Sequence, residues 1–236
     1  MQKLLGYIRS AVQDYNMIED GDRIAVGLSG GKDSVALLAS LARLRSFYPK
    51  SFELVAVTLD MRFGGENTDY SALEKLCENL GVPYVIKRTQ LAEIIFDLRK
   101  ESNPCSLCAR MRRGILHDTA KENGCNKIAL GHHLDDVAET FMMNLLRGGT
   151  VDCFSPVTYL SRKNIYMIRP MIYARESDCA RAVRRGELPV VKSKCPADGV
   201  TAREQAKQLL NSLEKEYGDV RSKILGAMQR KNINGY

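Results

Sequence analysis

The segment Arg23-Ile-Ala-Val-Gly-Leu-Ser-Gly-Gly-Lys-Asp-Ser34 decides how the rest of the chain is read. Arg23 to Leu28 is a short apolar, partly β-branched run of the kind that forms a buried strand. Two adjacent glycines follow, and a helical pattern runs from Asp33 to Ser46. Glycine lets the backbone take φ > 0 and come close to a ligand. The free N–H groups and the positive dipole end of the helix start then suit a phosphate. The stretch is not a Walker A loop: counting from Gly27, the place that loop reserves for its last glycine holds Lys32. Asp33 would repel a polyphosphate unless a divalent cation such as Mg²⁺ stood between them. The plainer use of Asp33 is as a helix cap.

Outward from this segment, strands and helices alternate. Phe52 to Leu59, Pro83 to Arg88, Lys127 to Gly131 and Ile165 to Met171 read as strands. Asp69 to Leu80, Leu91 to Lys100, Arg110 to Asn123, Asp135 to Leu146 and Arg175 to Arg185 read as helices, Val151 to Ser161 as a loop, and Thr201 to Gln229 as charged helix. This order predicts an α/β class: a single doubly wound parallel sheet with extra helices at both ends. The expected organisation is a helical segment over 1–22, a sheet domain over 23–175 carrying a C-x-x-C insertion, and a basic helical segment over 176–236 packed on it. Such sheets bind ligands at the carboxyl ends of their strands. Ser29 to Ser34 and Gly131-His-His-Leu-Asp-Asp136 both begin there.

In the second motif, Asp135 and Asp136 stand in the first turn of a helix, where the dipole favours them. His132 with Asp135 or Asp136 can hold Mg²⁺ and pyrophosphate opposite the glycine turn, and adjacent carboxylates suit a hard magnesium ion better than zinc. Asp60, ending the second strand, either positions a nucleotide or caps a turn. Cys105-Ser-Leu-Cys108 admits four readings: half a zinc site, a redox pair, a disulfide or an iron–sulfur cluster. Of the five other cysteines, Cys77 and Cys125 read as core and Cys153 and Cys179 have no flanking signal. Cys195 stands among Lys192, Lys194 and Pro196, where basic neighbours favour the thiolate.

The 236 residues are 44% hydrophobic and 27% charged, which excludes gross disorder. Met1 to Asn16 mixes Lys3, Arg9 and Asp14 into its apolar residues, unlike a signal peptide. No apolar run approaches the roughly 18 residues that span a membrane. A cytoplasmic protein without membrane attachment is expected, its seven cysteines too few and too odd in number for a disulfide scaffold. The net charge of +7 favours a polyanion such as nucleic acid, although solubility also accounts for it.

Ser29-Gly-Gly-Lys-Asp-Ser34 after an apolar strand resembles the PP-loop ATP pyrophosphatases, which cleave ATP to AMP and pyrophosphate. Cys105-Ser-Leu-Cys-Ala-Arg-Met-Arg-Arg-Gly114, Gly131 to Asp136 and Ile168-Arg-Pro-Met-Ile-Tyr-Ala-Arg-Glu176 together look like the TtcA family of tRNA sulfurtransferases, from about Arg23 to Gln229. That resemblance implies ATP bound by Ser29, Gly30, Gly31, Lys32, Asp33 and Ser34, with Asp60, Gly131, His132 and Asp136 around it. It implies Mg²⁺ on Asp33 and Asp135, and a [4Fe–4S] cluster on Cys105, Cys108 and Cys195 with one iron open. It further implies 2-thiolation of a tRNA pyrimidine, expected to be cytidine, a sulfide donor such as a cysteine desulfurase, and a homodimer. Arg112, one helical turn after Cys108, is placed to stabilise the adenylated intermediate. The alternatives are a lysidine-synthetase-like enzyme, a small-molecule sulfurtransferase, or a non-catalytic iron–sulfur or ATP sensor.

Overall fold

The apolar run Asp22–Gly27 forms strand β1 at the centre of the sheet, and the polar turn after it opens helix α2 (Lys32–Arg45). The computed structural model describes residues 1–99, 104–192, 194–195 and 202–236. Lys100 and Thr201, expected at two helix ends, and Ser193 and Pro196 to Asp198 beside Cys195 lie outside the described residues. Strands β2 (Phe52–Asp60), β3 (Tyr84–Arg88), β4 (Lys127–Ala129), β5 (Val157–Leu160) and β6 (Ile165–Ile168) complete a sheet of order β3-β2-β1-β4-β6-β5. The first five in that order are parallel, and β5 pairs antiparallel with β6. The loop expected over Val151 to Ser161 therefore contains an edge strand. Its signal is masked because Tyr159 and Tyr166 stack on the exposed face, centroids 4.7 Å apart, so little of the strand is apolar and buried.

Period-2 alternation sorts the strand residues to two faces. Ile24, Val26, Leu54 and Ala56 join a large core with α1 (Gln2–Asp14), α2, α3 (Ser71–Asn79), α6 (Glu176–Arg185) and α8 (Val220–Arg230). Ala25, Val55, Val57 and Ile128 face the other way, against Ala120 of α4 (Pro104–Glu122). A third cluster, Met61, Leu91, Ala92, Ile95 and Leu107, underlies the start of α4, where Glu93–Leu98 winds as a π-helix. The charged stretch after Thr201 is two helices, α7 (Ala202–Tyr217) and α8, broken at Gly218 with φ +72°.

Helix α4 corrects a second expectation. The helix expected to begin at Arg110 begins six residues earlier, with Pro104 in its first position and both cysteines of the C-x-x-C in its opening turns. Proline suits that position because its missing N–H has no helical partner there. Helix α5 (Leu134–Gly148) follows β4. In the observed order the direction of winding from strand to strand reverses between β1 and β4, which run parallel, so the crevice lies between their carboxyl ends.

Below the crevice, Lys127 and Asp22 make a buried pair at 2.7 Å. Lys127 also donates to the Met17 carbonyl, and Asp22 accepts from Asn126 and from the Glu19 N–H. Removing one member leaves the other charged and unpaired. Lys127→Ala should lower unfolding free energy by about 3–5 kcal/mol in urea titrations. A change under about 0.5 kcal/mol would show the pair to be energetically idle.

Candidate active site

The glycine turn is held from inside by its own serines. Ser34 Oγ donates to the Gly31 carbonyl at 2.9 Å and accepts the Ser29 N–H at 3.1 Å. Ser29 Oγ lies 3.1 Å from Ser34 Oγ and accepts the Gly31 N–H. Gly30 takes φ +87°, a conformation open to glycine. Among the described residues no side chain caps α2, so its first N–H groups face the crevice with the positive end of the dipole. Asp33 does not cap: among the described residues its buried Oδ1 has no hydrogen-bond partner, and its Oδ2 accepts from Lys32 at 3.0 Å.

The second motif meets this turn backbone to backbone. A Cβ on Gly131 would stand 3.2 Å from the Asp33 carbonyl carbon and 3.3 Å from the Ser34 nitrogen. His133 caps α5 in a reciprocal box with Asp136, and its Nε2 lies 3.9 Å from Asp33 Oδ1. Sequence reasoning chose His132, but it is His133 that faces Asp33. The box spacing to Asp136 was the available signal, obscured because histidine is not a usual cap. His132 instead packs on Phe154, ring centroids 4.9 Å apart, with Arg169 over the same ring. Its Nδ1 is buried without a partner, and burial pushes the ring pKa from 6.5 down to about 4.

The other acids are occupied. Asp135 Oδ2 accepts the Glu176 N–H at 2.7 Å, and its Oδ1 pairs with Arg221 at 3.0 Å. The structure thus turns Asp135 towards α6 and α8 rather than leaving it open for a cation. Asp136 pairs with Arg203 at 2.8 Å. Asp60 accepts from the Arg62 N–H, the Thr68 N–H and the Thr68 hydroxyl, closing the loop after β2, the turn-capping use of the two expected for it. Glu176, whose role the sequence did not reveal, grips Lys32 at 2.9 Å and Lys207 at 2.8 Å. Burial alone would raise its pKa, but hydrogen bonds from Lys207 and Lys32 hold it down to about 2.

The thiols gather at the far lip. Cys108 is half-buried, and burial raises its pKa while the adjacent Arg112, hydrogen-bonded to it, lowers it. Charges on Cys195 and Cys105 raise it further, so each of these two thiols lies within electrostatic reach of Cys108. Arg112 also acts on Tyr70, at the start of α3. None of the seven cysteines is in a disulfide, and Cys77, Cys125, Cys153 and Cys179 are buried. Four residues before Cys195, the Val191 N–H donates to the Gly30 carbonyl at 3.0 Å.

A glycine turn for phosphates beside grouped thiols matches the motifs read from the sequence, and comparison with known proteins decides the family. A PP-loop domain model matches residues 6–210. The tRNA-cytidine(32) 2-sulfurtransferase of Syntrophotalea carbinolica is 41% identical over 97% of this chain and 87% of its own length. The chain belongs to the tRNA-cytidine(32) 2-sulfurtransferase family. The enzyme of that name from Dechloromonas aromatica is 38% identical over 97% of this chain and 81% of its own. The U34-tRNA thiolase NcsA from Methanococcus maripaludis, solved with its [4Fe-4S] cluster, superposes with a TM-score of 0.78 at 27% identity, covering 95% of this chain and 77% of that one. The resemblance to TtcA, and with it the transferase class, holds. Among the described residues no helix is long and apolar enough to cross a membrane.

The lowered His132 pKa makes stability pH-dependent. The unfolded chain takes up a proton near 6.5 that the folded ring resists to about 4. The contribution of neutral His132 is thus full above about 6.5 and is lost as pH falls towards 4. Thermal unfolding of His132→Gln should lose part of this decline, and a curve parallel to wild type across that window would contradict the assignment.

Proposed function

We propose that this chain adenylates the C2 oxygen of a tRNA cytidine, at position 32 as the names of its relatives indicate, and exchanges that oxygen for sulfur. What supports the reading is convergence: the glycine-turn helix is uncapped, Cys105 and Cys195 each act on the charge of Cys108, and Val191 bonds the chain four residues before Cys195 to Gly30.

The N–H groups opening α2 and the Lys32 ammonium receive the ATP phosphates. The orphaned Oδ1 of Asp33 fits a Mg²⁺ ligand, since a buried acceptor without a donor is ready for a cation. The cytidine C2 oxygen attacks the α-phosphorus, and pyrophosphate leaves with its charge met by these donors and the metal. A sulfide equivalent adds to C2, and AMP departs with the original oxygen. Arg112, beside Cys108, sits where the adenylyl phosphate and the thiols meet and offsets negative charge there. Asp135 and Glu176 act behind this front, fixing the start of α6 and the position of Lys32.

Thiolates at the start of a helix suit an iron–sulfur cluster. Among the described residues no three His, Cys, Asp or Glu groups are assembled around a single metal ion. A four-iron cube is wider than one ion, and exposed Cys105 leaves space for it. Cys105, Cys108 and Cys195 would hold a [4Fe–4S] cluster, which when bound supplies sulfur at the iron no cysteine ligates. A cysteine desulfurase as donor, a homodimer and a cytoplasmic setting complete the proposal.

Anaerobic protein should contain about four irons per chain, and Cys105→Ala should lose them while still binding ATP. Asp33→Ala should abolish tRNA-dependent AMP formation with the iron retained. Mass spectrometry of tRNA nucleosides from a strain lacking the gene should show 2-thiocytidine gone. Undiminished 2-thiocytidine would overturn the proposal.

A further inference from the structure

The chain after α6 is fixed to the glycine turn before it reaches the third thiol. The Leu188 N–H bonds to the Val183 carbonyl, anchoring the segment to the end of α6. The Val191 N–H then donates to Gly30 O at 3.0 Å. Its side chain lies against Gly30 so closely that a Cβ there would stand 2.9 Å from Val191 Cβ. Beyond it, Lys194 pairs with Glu66 at 3.6 Å, in the loop that Asp60 closes after β2. Along this strap Val191 thus lies at the turn after β1, Lys194 at the loop after β2, and Cys195 within electrostatic reach of Cys108 at the start of α4.

We infer that Val191 is a positioning residue that couples the glycine turn to the three-thiol centre, so that nucleotide binding and assembly of that centre strengthen each other. The inference rests on the proposed function and deepens it. Four residues of extended chain reach at most about 14 Å, so Cys195 stays within that distance of Val191 while Val191 is bonded to the turn. Phosphates that fix the N–H groups around Gly30 also fix its carbonyl, the acceptor of the strap. An ordered strap holds Cys195 beside Cys108 and reduces the ordering that thiol ligation would otherwise require. Linkage makes the effect reciprocal: whatever Cys195 ligates tightens ATP by the same factor.

Cadmium(II), which gives an ultraviolet thiolate charge-transfer band, tests this on the full metal-free chain. Wild type should show a three-thiolate band, and a non-hydrolysable ATP analogue with Mg²⁺ should tighten Cd²⁺ at least about fivefold. Val191→Pro, which lacks the N–H, should give the two-thiolate band of Cys195→Ser and no coupling. Val191→Ala, which keeps the N–H but loses the packing, should fall between and covers the case in which the proline variant does not fold. Wild-type affinity, band and coupling in the folded Val191 variants would overturn the inference. A two-thiolate band in wild type would instead overturn the three-cysteine centre of the proposed function.

Discussion

Everything at the carboxyl edge depends on the backbone of Gly131 lying against the backbone of Asp33 and Ser34. At 3.2–3.3 Å, a side-chain carbon at residue 131 would force its neighbours to give by a few tenths of an ångström, and the atoms it would meet are backbone rather than a flexible side chain that can swing away. The approach brings the turn after β1 against the turn after β4, at the point where the strand order reverses. It sets the His133 ring near Asp33 and opens α2 towards the same crevice that α5 borders. Short parallel strands with apolar faces supply the platform, and glycine supplies the closeness.

Charge is arranged around that contact in two tiers. Asp135, Asp136, Glu176 and Asp60 are each held by named donors, and their work is to fix α6, α7 and the loop after β2 in place. Asp33 keeps one oxygen unsatisfied. A buried acceptor without a donor is costly, and this one stands beside an uncapped helix start, where the proposed function places a cation. The same contrast separates the cysteines: four are buried as small apolar groups, while Cys105, Cys108 and Cys195 keep access to solvent.

The fold was legible because parallel strands buried on both faces leave continuous apolar runs, and glycines end the helices between them. The edge strand β5 was not, since half of it faces water. The glycine turn and the C-x-x-C could be read because local spacing carries their chemistry. What escaped were pairings between distant segments. Glu176 gripping Lys32, Arg203 on Asp136 and Val191 on Gly30 join residues 67 to 161 positions apart, and no local pattern announces them. The different placement of His132 and His133 was hidden for a related reason. Adjacent residues at a helix start point in different directions: His132 packs on Phe154, while His133 caps α5 and lies near Asp33.

The central claim is that the nucleotide turn and the thiol centre share one crevice. Electron paramagnetic resonance of the reduced cluster, with Mn²⁺ replacing Mg²⁺ beside a non-hydrolysable ATP analogue, measures that adjacency directly. The cluster signal should broaden and relax faster with the manganese complex than with the magnesium one. An identical signal in both would mean that the two centres lie apart.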